Sequence, residues 1–163
     1  MKIKDFQKNL GKLVITLVGA FGAGLIGSLF TTSSIPNWYA NLEKTVLTPP
    51  NWVFGPVWTT LYILMAIAAF LVWQSGENKT KVKEAMHLYW IQLTLNAVWS
   101  ILFFGSHLLL TAFVEIIFLL TAIVMTTIWY YRVNKLAAYM MIPYILWVSF
   151  ASILNFLTFW VNK

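Results

Sequence analysis

Four stretches of this chain are too long and too apolar to belong to a water-soluble core. Leu13–Phe30, Asn51–Gly76, Ala85–Val114 and Leu136–Val161 contain no Asp, Glu, Lys or Arg, and about 18 such residues suffice for a helix to cross the hydrocarbon of a bilayer. In that medium each backbone N–H and C=O must find a partner within the protein, and a helix satisfies its own. With 60% hydrophobic and 10% charged residues in 163, the chain is expected to be an all-α membrane protein, a five-transmembrane-helix bundle. Five spans of about 20 residues use nearly all of it, so residues 1–163 read as a single membrane domain without an appended soluble one.

The spans are expected at about 13–31, 51–75, 86–105, 108–131 and 136–161, with residues 32–50 forming a lid loop. Gly105, Ser106 and His107 divide the long apolar stretch in its middle, because Gly and Ser clusters punctuate helices. Pro143 predicts a local distortion of the last span, tolerated inside a bundle. The first run follows Lys2, Lys4, Lys8 and Lys12, as a signal peptide would, but it is long for a signal core and lacks a small-x-small cleavage site. It reads as a retained span.

Five crossings place the N-terminus, the Asn78 segment and the Asn134 segment on one side. That side holds Lys2, Lys4, Lys8, Lys12, Lys79, Lys81, Lys83, Arg132 and Lys135, whereas the other holds Lys44 and Lys163. Basic residues are retained on the cytoplasmic side during insertion. The N-terminus is therefore expected in the cytoplasm of a bacterial-type cell membrane, and the C-terminus outside. This division accounts for the net charge of +6 without nucleic acid, for which no binding motif is present. An odd span count disfavours the two equal halves of many secondary transporters. The absence of cysteine excludes disulfides and thiolate chemistry.

Most of the 9 Trp and 7 Tyr read as interfacial belts, among them Trp38, Trp52, Trp73, Trp90, Trp129, Tyr130, Tyr131 and Trp160. Tyr39 is the expected exception. Trp58 and Trp99 lie roughly 10 and 9 Å inside the outer ends of spans two and three, at 1.5 Å per residue, and Trp147 lies well within span five. A buried indole N–H wants a partner that hydrocarbon lacks. Polar side chains lie on the same helix faces: Gln92, Asn96 and Ser100 on span three, Trp147, Ala151 and Asn155 on span five, and Trp58 with Tyr62 and Met65 on span two. Asn96, Asn155 and Glu115 can each be read as interhelical glue or as functional groups. Apart from Gln92, these groups lie at the midplane or in the outer half, beneath the loop carrying Tyr39, Lys44 and Pro49. An aromatic cavity with a few polar anchors suits a large, flat, mainly apolar ligand. On span one, Gly19–Ala23–Gly27 and Ala20–Gly24–Ser28 form small-residue faces that read as close helix packing or as a ligand wall, with the packing partner in the same chain or a second copy.

At these residues the sequence resembles the TspO/MBR family of tryptophan-rich sensory proteins and translocator proteins, the peripheral benzodiazepine receptors. The resemblance rests on Trp38-Tyr39 with Leu42 and Lys44, on Thr48-Pro49-Pro50-Asn51-Trp52-Val53-Phe54-Gly55-Pro56-Val57-Trp58 with Leu61-Tyr62, and on Gln92, Leu95-Asn96, Trp99 and Phe103-Phe104-Gly105. It continues through Pro143-Tyr144, Trp147, Phe150-Ala151 and Leu154-Asn155.

The resemblance implies a bundle that is often dimeric and binds tetrapyrroles, porphyrin or haem, as ligand rather than obligatory cofactor. In some members it also binds isoquinoline carboxamide or benzodiazepine-type drugs and sterols. The implied pocket uses the positions of Tyr39, Trp58, Asn96, Trp147 and Ala151, to which the helix faces add Tyr62 and Trp99 and the lid loop adds Pro49. Some members are also reported to degrade protoporphyrin in light, which would give Trp58 and Trp147 a catalytic role, so binder and photo-oxidative enzyme both stay open. The chain departs from the family at Lys44-Thr45, where Lys-Pro is usual, and at Leu47, where a Trp is usual. The sterol motif of mammalian members has Tyr followed by a basic residue where Phe156 and Trp160 stand, which argues against sterol binding through it. His87 and His107 have no Asp or Cys constellation for a triad or a metal site and read as interfacial. A single intramembrane Glu is poor machinery for an ion carrier.

Overall fold

The computed structural model describes residues 3–76 and 79–163, and every regular element among them is helical. Lys2 and Asn78, two markers of the charge-rich side, lie outside the described residues. Five helical segments are long and apolar enough to cross a membrane, Gln7–Tyr39, Asn51–Gln74, Thr80–Gly105, Leu109–Tyr131 and Lys135–Val161. The chain is an integral membrane five-helix bundle.

The first span is α1, Ile3–Ser34, continued by a π-helical turn at Ile35–Tyr39 and a last helical residue at Asn41. Residues 32–41 are therefore helical, and the connection expected over 32–50 is confined to 42–50. The polar residues that suggested a loop satisfy themselves inside the helix: the Thr31 hydroxyl donates to the Gly27 carbonyl at 2.9 Å, and the Asn37 and Asn41 amides donate to the Ser33 and Asn37 carbonyls at 3.1 and 2.7 Å. Such back-bonding lets a polar side chain remain in a helix. Pro36 cannot donate to the ladder, and the wider π turn lies where that bond is missing.

Span two is a short 3-10 turn, Asn51–Val53, leading into α2, Phe54–Gln74. Span three, α3, is Thr80–Ser100 with a second π turn at Ile101–Gly105. It begins six residues before the expected position 86, because Lys81, Lys83 and Glu84 continue the helix beyond the apolar stretch. His107 completes the turn in the left-handed region at φ 58°, and α4 follows as Leu109–Tyr131. The last span is broken into α5, Lys135–Met140, and α6, Ile142–Val161. Pro143, which has no N–H for the Tyr139 carbonyl, accounts for the break.

That break shapes the molecule. α2 packs against α1 and α5, α3 against α1 and α4, and α6 against α4. Both portions of the last span lie against α4, but only α5 also packs closely against α2. On the side of α5 the bundle is closed by small residues such as Ala66, Ala69, Ala85, Ala137 and Ala138, packed around Tyr89, Ile123, Tyr130 and Met141. Tyr130, expected in the interfacial belt, is fully buried here, because its position on α4 faces this core rather than lipid. Toward the 42–50 connection, α2 and α6 are joined by rings: Phe54 meets Trp147 at 5.9 Å, and Trp58 meets Tyr144 at 6.2 Å between centroids. The space between them is a cavity.

Candidate ligand cavity

The cavity has a volume of about 620 Å³ and is walled by α1, the start of α2, the end of α3 and the second half of α6, with Tyr39, Thr48 and Asn51 near its mouth. None of its lining residues is charged. Trp58 stacks on Tyr62 with centroids 5.6 Å apart and planes at 27°. Trp99 stacks on Phe103 at 5.2 Å and 28°, and Phe104 meets both Trp99 and Tyr39 edge-on. Two adjacent π turns build this aromatic wall. Tyr39 lies on one and Phe103 and Phe104 on the other, tied by the Ser34 hydroxyl donating to the Phe104 carbonyl.

Most polar groups at the cavity are already engaged. Trp99 Nε1 donates to Asn155 Oδ1 at 3.0 Å, and Asn155 Nδ2 donates to the Leu109 carbonyl at 2.9 Å. The hydroxyls of Ser28, Thr31, Thr59 and Thr158 donate to carbonyls of their own helices, so they present acceptor lone pairs. Trp147 Nε1 differs: it is buried and has no hydrogen-bond partner. An unpaired N–H out of reach of water costs about 1–3 kcal/mol, which a turn of the Trp147 ring toward a ligand acceptor in the cavity would relieve.

Of the residues anticipated for binding, Tyr39, Trp58, Tyr62, Trp99, Trp147 and Ala151 come together in the lining, whereas Pro49 and Asn96 do not belong to it. Pro49 lies in the connection, between the lining residues Thr48 and Asn51. Asn96 is 2% exposed and lies behind Tyr62, accepting from the Tyr62 hydroxyl at 2.8 Å and donating to the Tyr144 hydroxyl at 3.0 Å. It braces a wall and joins three helices. Glu115 is also buried away from the lining, and neither carboxylate oxygen has a hydrogen-bond partner. Among the described residues no cluster of His, Cys, Asp or Glu could hold a metal ion.

α1 supplies more of the wall than its small-residue spacing alone indicates. Phe21, Gly24, Gly27, Ser28 and Thr31 all line the cavity, so the small-residue faces serve both purposes weighed for them. A Cβ at Gly19 would lie 2.5 Å from the Trp90 ring, and one at Gly24 would lie 2.5 Å from the Tyr62 ring. The close partners are therefore in the same chain. Leu25 in this wall is 64% exposed, and Thr59 across from it on α2 is exposed as well, so the cavity is not sealed toward the bilayer between α1 and α2.

The connection above is pinned where it leaves the first span. Lys44 Nζ donates to the carbonyls of Tyr39, Ala40 and Leu42 at 2.8, 3.2 and 3.3 Å and lies 4.9 Å from the Tyr39 ring centroid. A cation at a helix C-terminus satisfies orphan carbonyls and complements the dipole. Asn162, at the end of α6, accepts from the Glu43 N–H at 2.9 Å and donates to the Glu43 carbonyl at 3.0 Å.

A five-helix membrane bundle with an aromatic, uncharged cavity beneath its first connection defines the class as an integral membrane protein built around an internal aromatic cavity. The TspO/MBR family model matches residues 14–161, and the chain belongs to that family. It is 42% identical to the tryptophan-rich protein TspO of Archaeoglobus fulgidus over 155 residues, covering 94% of this chain and 99% of the relative. Identity to the human translocator protein is 38% over 142 residues, 86% and 83% of the two chains. Identity to the tryptophan-rich sensory protein of Cereibacter sphaeroides is 34% over 146 residues, 88% and 87%.

Proposed function

We propose that this protein binds a tetrapyrrole, porphyrin or haem, in the cavity and acts as a sensor or transporter of it. The observation that carries this reading is the pairing of a large, uncharged aromatic cavity with one buried unpaired donor, Trp147 Nε1. A volume near 620 Å³ suits a ligand of tens of atoms, and the stacked pairs Trp58–Tyr62 and Trp99–Phe103 suit one with flat faces. The same features favour isoquinoline carboxamide or benzodiazepine-type molecules, whose carbonyl could take the Trp147 proton. No histidine lines the cavity, so haem would be held through its macrocycle rather than through an imidazole on iron. The exposed edge at Leu25 and Thr59 favours a ligand that partitions into the bilayer first.

We further infer that the N-terminus faces the cytoplasm of a bacterial-type cell membrane, from the nine-to-two division of basic residues and the positive-inside rule.

A second reading, light-dependent degradation of bound porphyrin, is favoured by one geometry. Trp58 lines the cavity, stacked on Tyr62, so an indole able to give an electron to an excited porphyrin, leaving an indole radical cation and a porphyrin radical anion, stands in the wall on which the ligand would lie. Titration of purified protein in detergent with protoporphyrin, haem and cholesterol, in darkness and then in light, tests both readings. Saturable tetrapyrrole binding in darkness is expected. Its absence would refute the first reading, and a discrete product in light would establish the second.

A further inference from the structure

At the opposite end of the bundle, a groove of about 320 Å³ lies between the end of α4 and the α5–α6 break. Its walls are Ile128 and Tyr131 on one side and Ala138, Tyr139 and Ile142 on the other. The interior is apolar, since the Thr127 hydroxyl at its edge is taken up by the Ile123 carbonyl at 2.8 Å. Tyr131 and Tyr139 meet edge to face at 6.3 Å, and both are exposed, as are Ile128 and Ile142. Arg132 lies at the rim, and Lys135 lies 5.5 Å from the Tyr131 ring centroid.

The geometry points to a binding site for one anionic phospholipid, with an acyl chain in the groove and its phosphate between Arg132 and Lys135. Charge complementarity selects this occupant. No Asp or Glu occurs from Ile116 to Lys163, the segment that builds the whole groove. The guanidinium of Arg132 rests over the Trp129 ring at 5.0 Å, a contact that leaves its N–H donors available to a phosphate in the ring plane's periphery. A second copy of this chain would offer at this end, among the described residues with exposed acidic side chains, only Glu84, flanked by the basic Lys81 and Lys83, and a free phosphate would leave the apolar groove unused. Basic residues at a membrane-proximal groove attract anionic headgroups. The break at Met141–Pro143 borders the recess, which Ala138 and Tyr139 of α5 and Ile142 of α6 line from its two sides.

Native mass spectrometry of the purified protein, titrated with phosphatidylglycerol and phosphatidylcholine of identical acyl chains, tests the site. The wild type is expected to retain one phosphatidylglycerol with roughly tenfold or greater preference, the scale of two basic contacts. Arg132→Gln with Lys135→Gln should reduce that preference to about twofold or less, with phosphatidylcholine retention unchanged. Ile128→Ala with Tyr139→Ala should weaken both lipids alike. Equal retention of the two lipids by the wild type would overturn the proposal, as would an undiminished preference in the double Gln variant. Displacement of the lipid by millimolar glycerol phosphate would overturn it in favour of a free phosphate, and a dimer that dissociates in the double Gln variant would overturn it in favour of a second copy. The wild-type comparison requires no variant to fold, and tetrapyrrole titration of the variants checks the remote cavity.

Discussion

The Tyr62 hydroxyl donates to Asn96 Oδ1 at 2.8 Å, and Asn96 passes the chain on to the Tyr144 hydroxyl at 3.0 Å. Three spans are thereby joined at mid-bundle by one side chain that does not reach the cavity. Tyr62, by contrast, does line the cavity, with Trp58 stacked against it. The chain therefore positions the wall on which a ligand would lie.

Asn96→Leu is expected to act first on stability. It strands the Tyr62 and Tyr144 hydroxyls, each at roughly 1–3 kcal/mol when buried without a partner. Thermal unfolding in detergent should shift downward, with porphyrin affinity changed less than stability. Strong loss of affinity at unchanged melting temperature would restore Asn96 as a direct ligand contact.

The two cavity tryptophans should separate. Trp58→Phe keeps a flat ring against Tyr62 and should retain most affinity, whereas Trp147→Phe removes an unpaired N–H. For a ligand with an acceptor in reach, that change should cost about 1 kcal/mol, and for an analogue lacking the acceptor almost nothing. Isothermal titration with a carbonyl-bearing ligand and its deoxygenated analogue measures the difference. If illumination of the wild type yields a discrete product that both Phe variants fail to make while still binding, the protein is an enzyme.

Gly24→Val should deform the cavity from the α1 side. Even a Cβ would lie 2.5 Å from the Tyr62 ring, and overpacking of this kind typically costs about 1–3 kcal/mol. Tyr62 must move, so both melting temperature and ligand affinity should fall. Gly22→Ala, where a Cβ meets nothing within 4 Å, is the matched control.

Asn162→Ala releases the connection from the end of α6 by removing both hydrogen bonds to Glu43. Ligand dissociation should accelerate up to about tenfold, the scale of one net hydrogen bond, with association changed less. Stopped-flow release from preloaded protein reads this directly.

Because the chain has no cysteine, orientation can be tested with Asn41→Cys and Thr80→Cys, both exposed positions, and an impermeant thiol reagent on intact cells. Labelling at position 41 alone is expected. Labelling at position 80 alone would reverse the topology.

Five crossings, their order and the side rich in basic residues were legible without coordinates, because hydrocarbon imposes its demands locally: an uncharged stretch of sufficient length must be a helix. The aromatic residues of spans two, three and five were also legible as a group, since helical spacing alone puts Trp58 with Tyr62 and Trp147 with Ala151 on common faces. Which of those faces meet is a different matter. Asn96 and Trp99 are one turn apart on α3, yet one braces Tyr62 and Tyr144 while the other lines the cavity. The difference depends on how far neighbouring helices approach, and helical periodicity carries no such information. The extension of α1 to Asn41 was hidden for a related reason, because serine, threonine and asparagine mark a loop by composition but can bond back to the helix they occupy. Pro143 announced a break, but only the packed bundle decided its consequence: α5 packs against both α2 and α4, α6 keeps only α4 of the two, and the space left between α2 and α6 opens into the site.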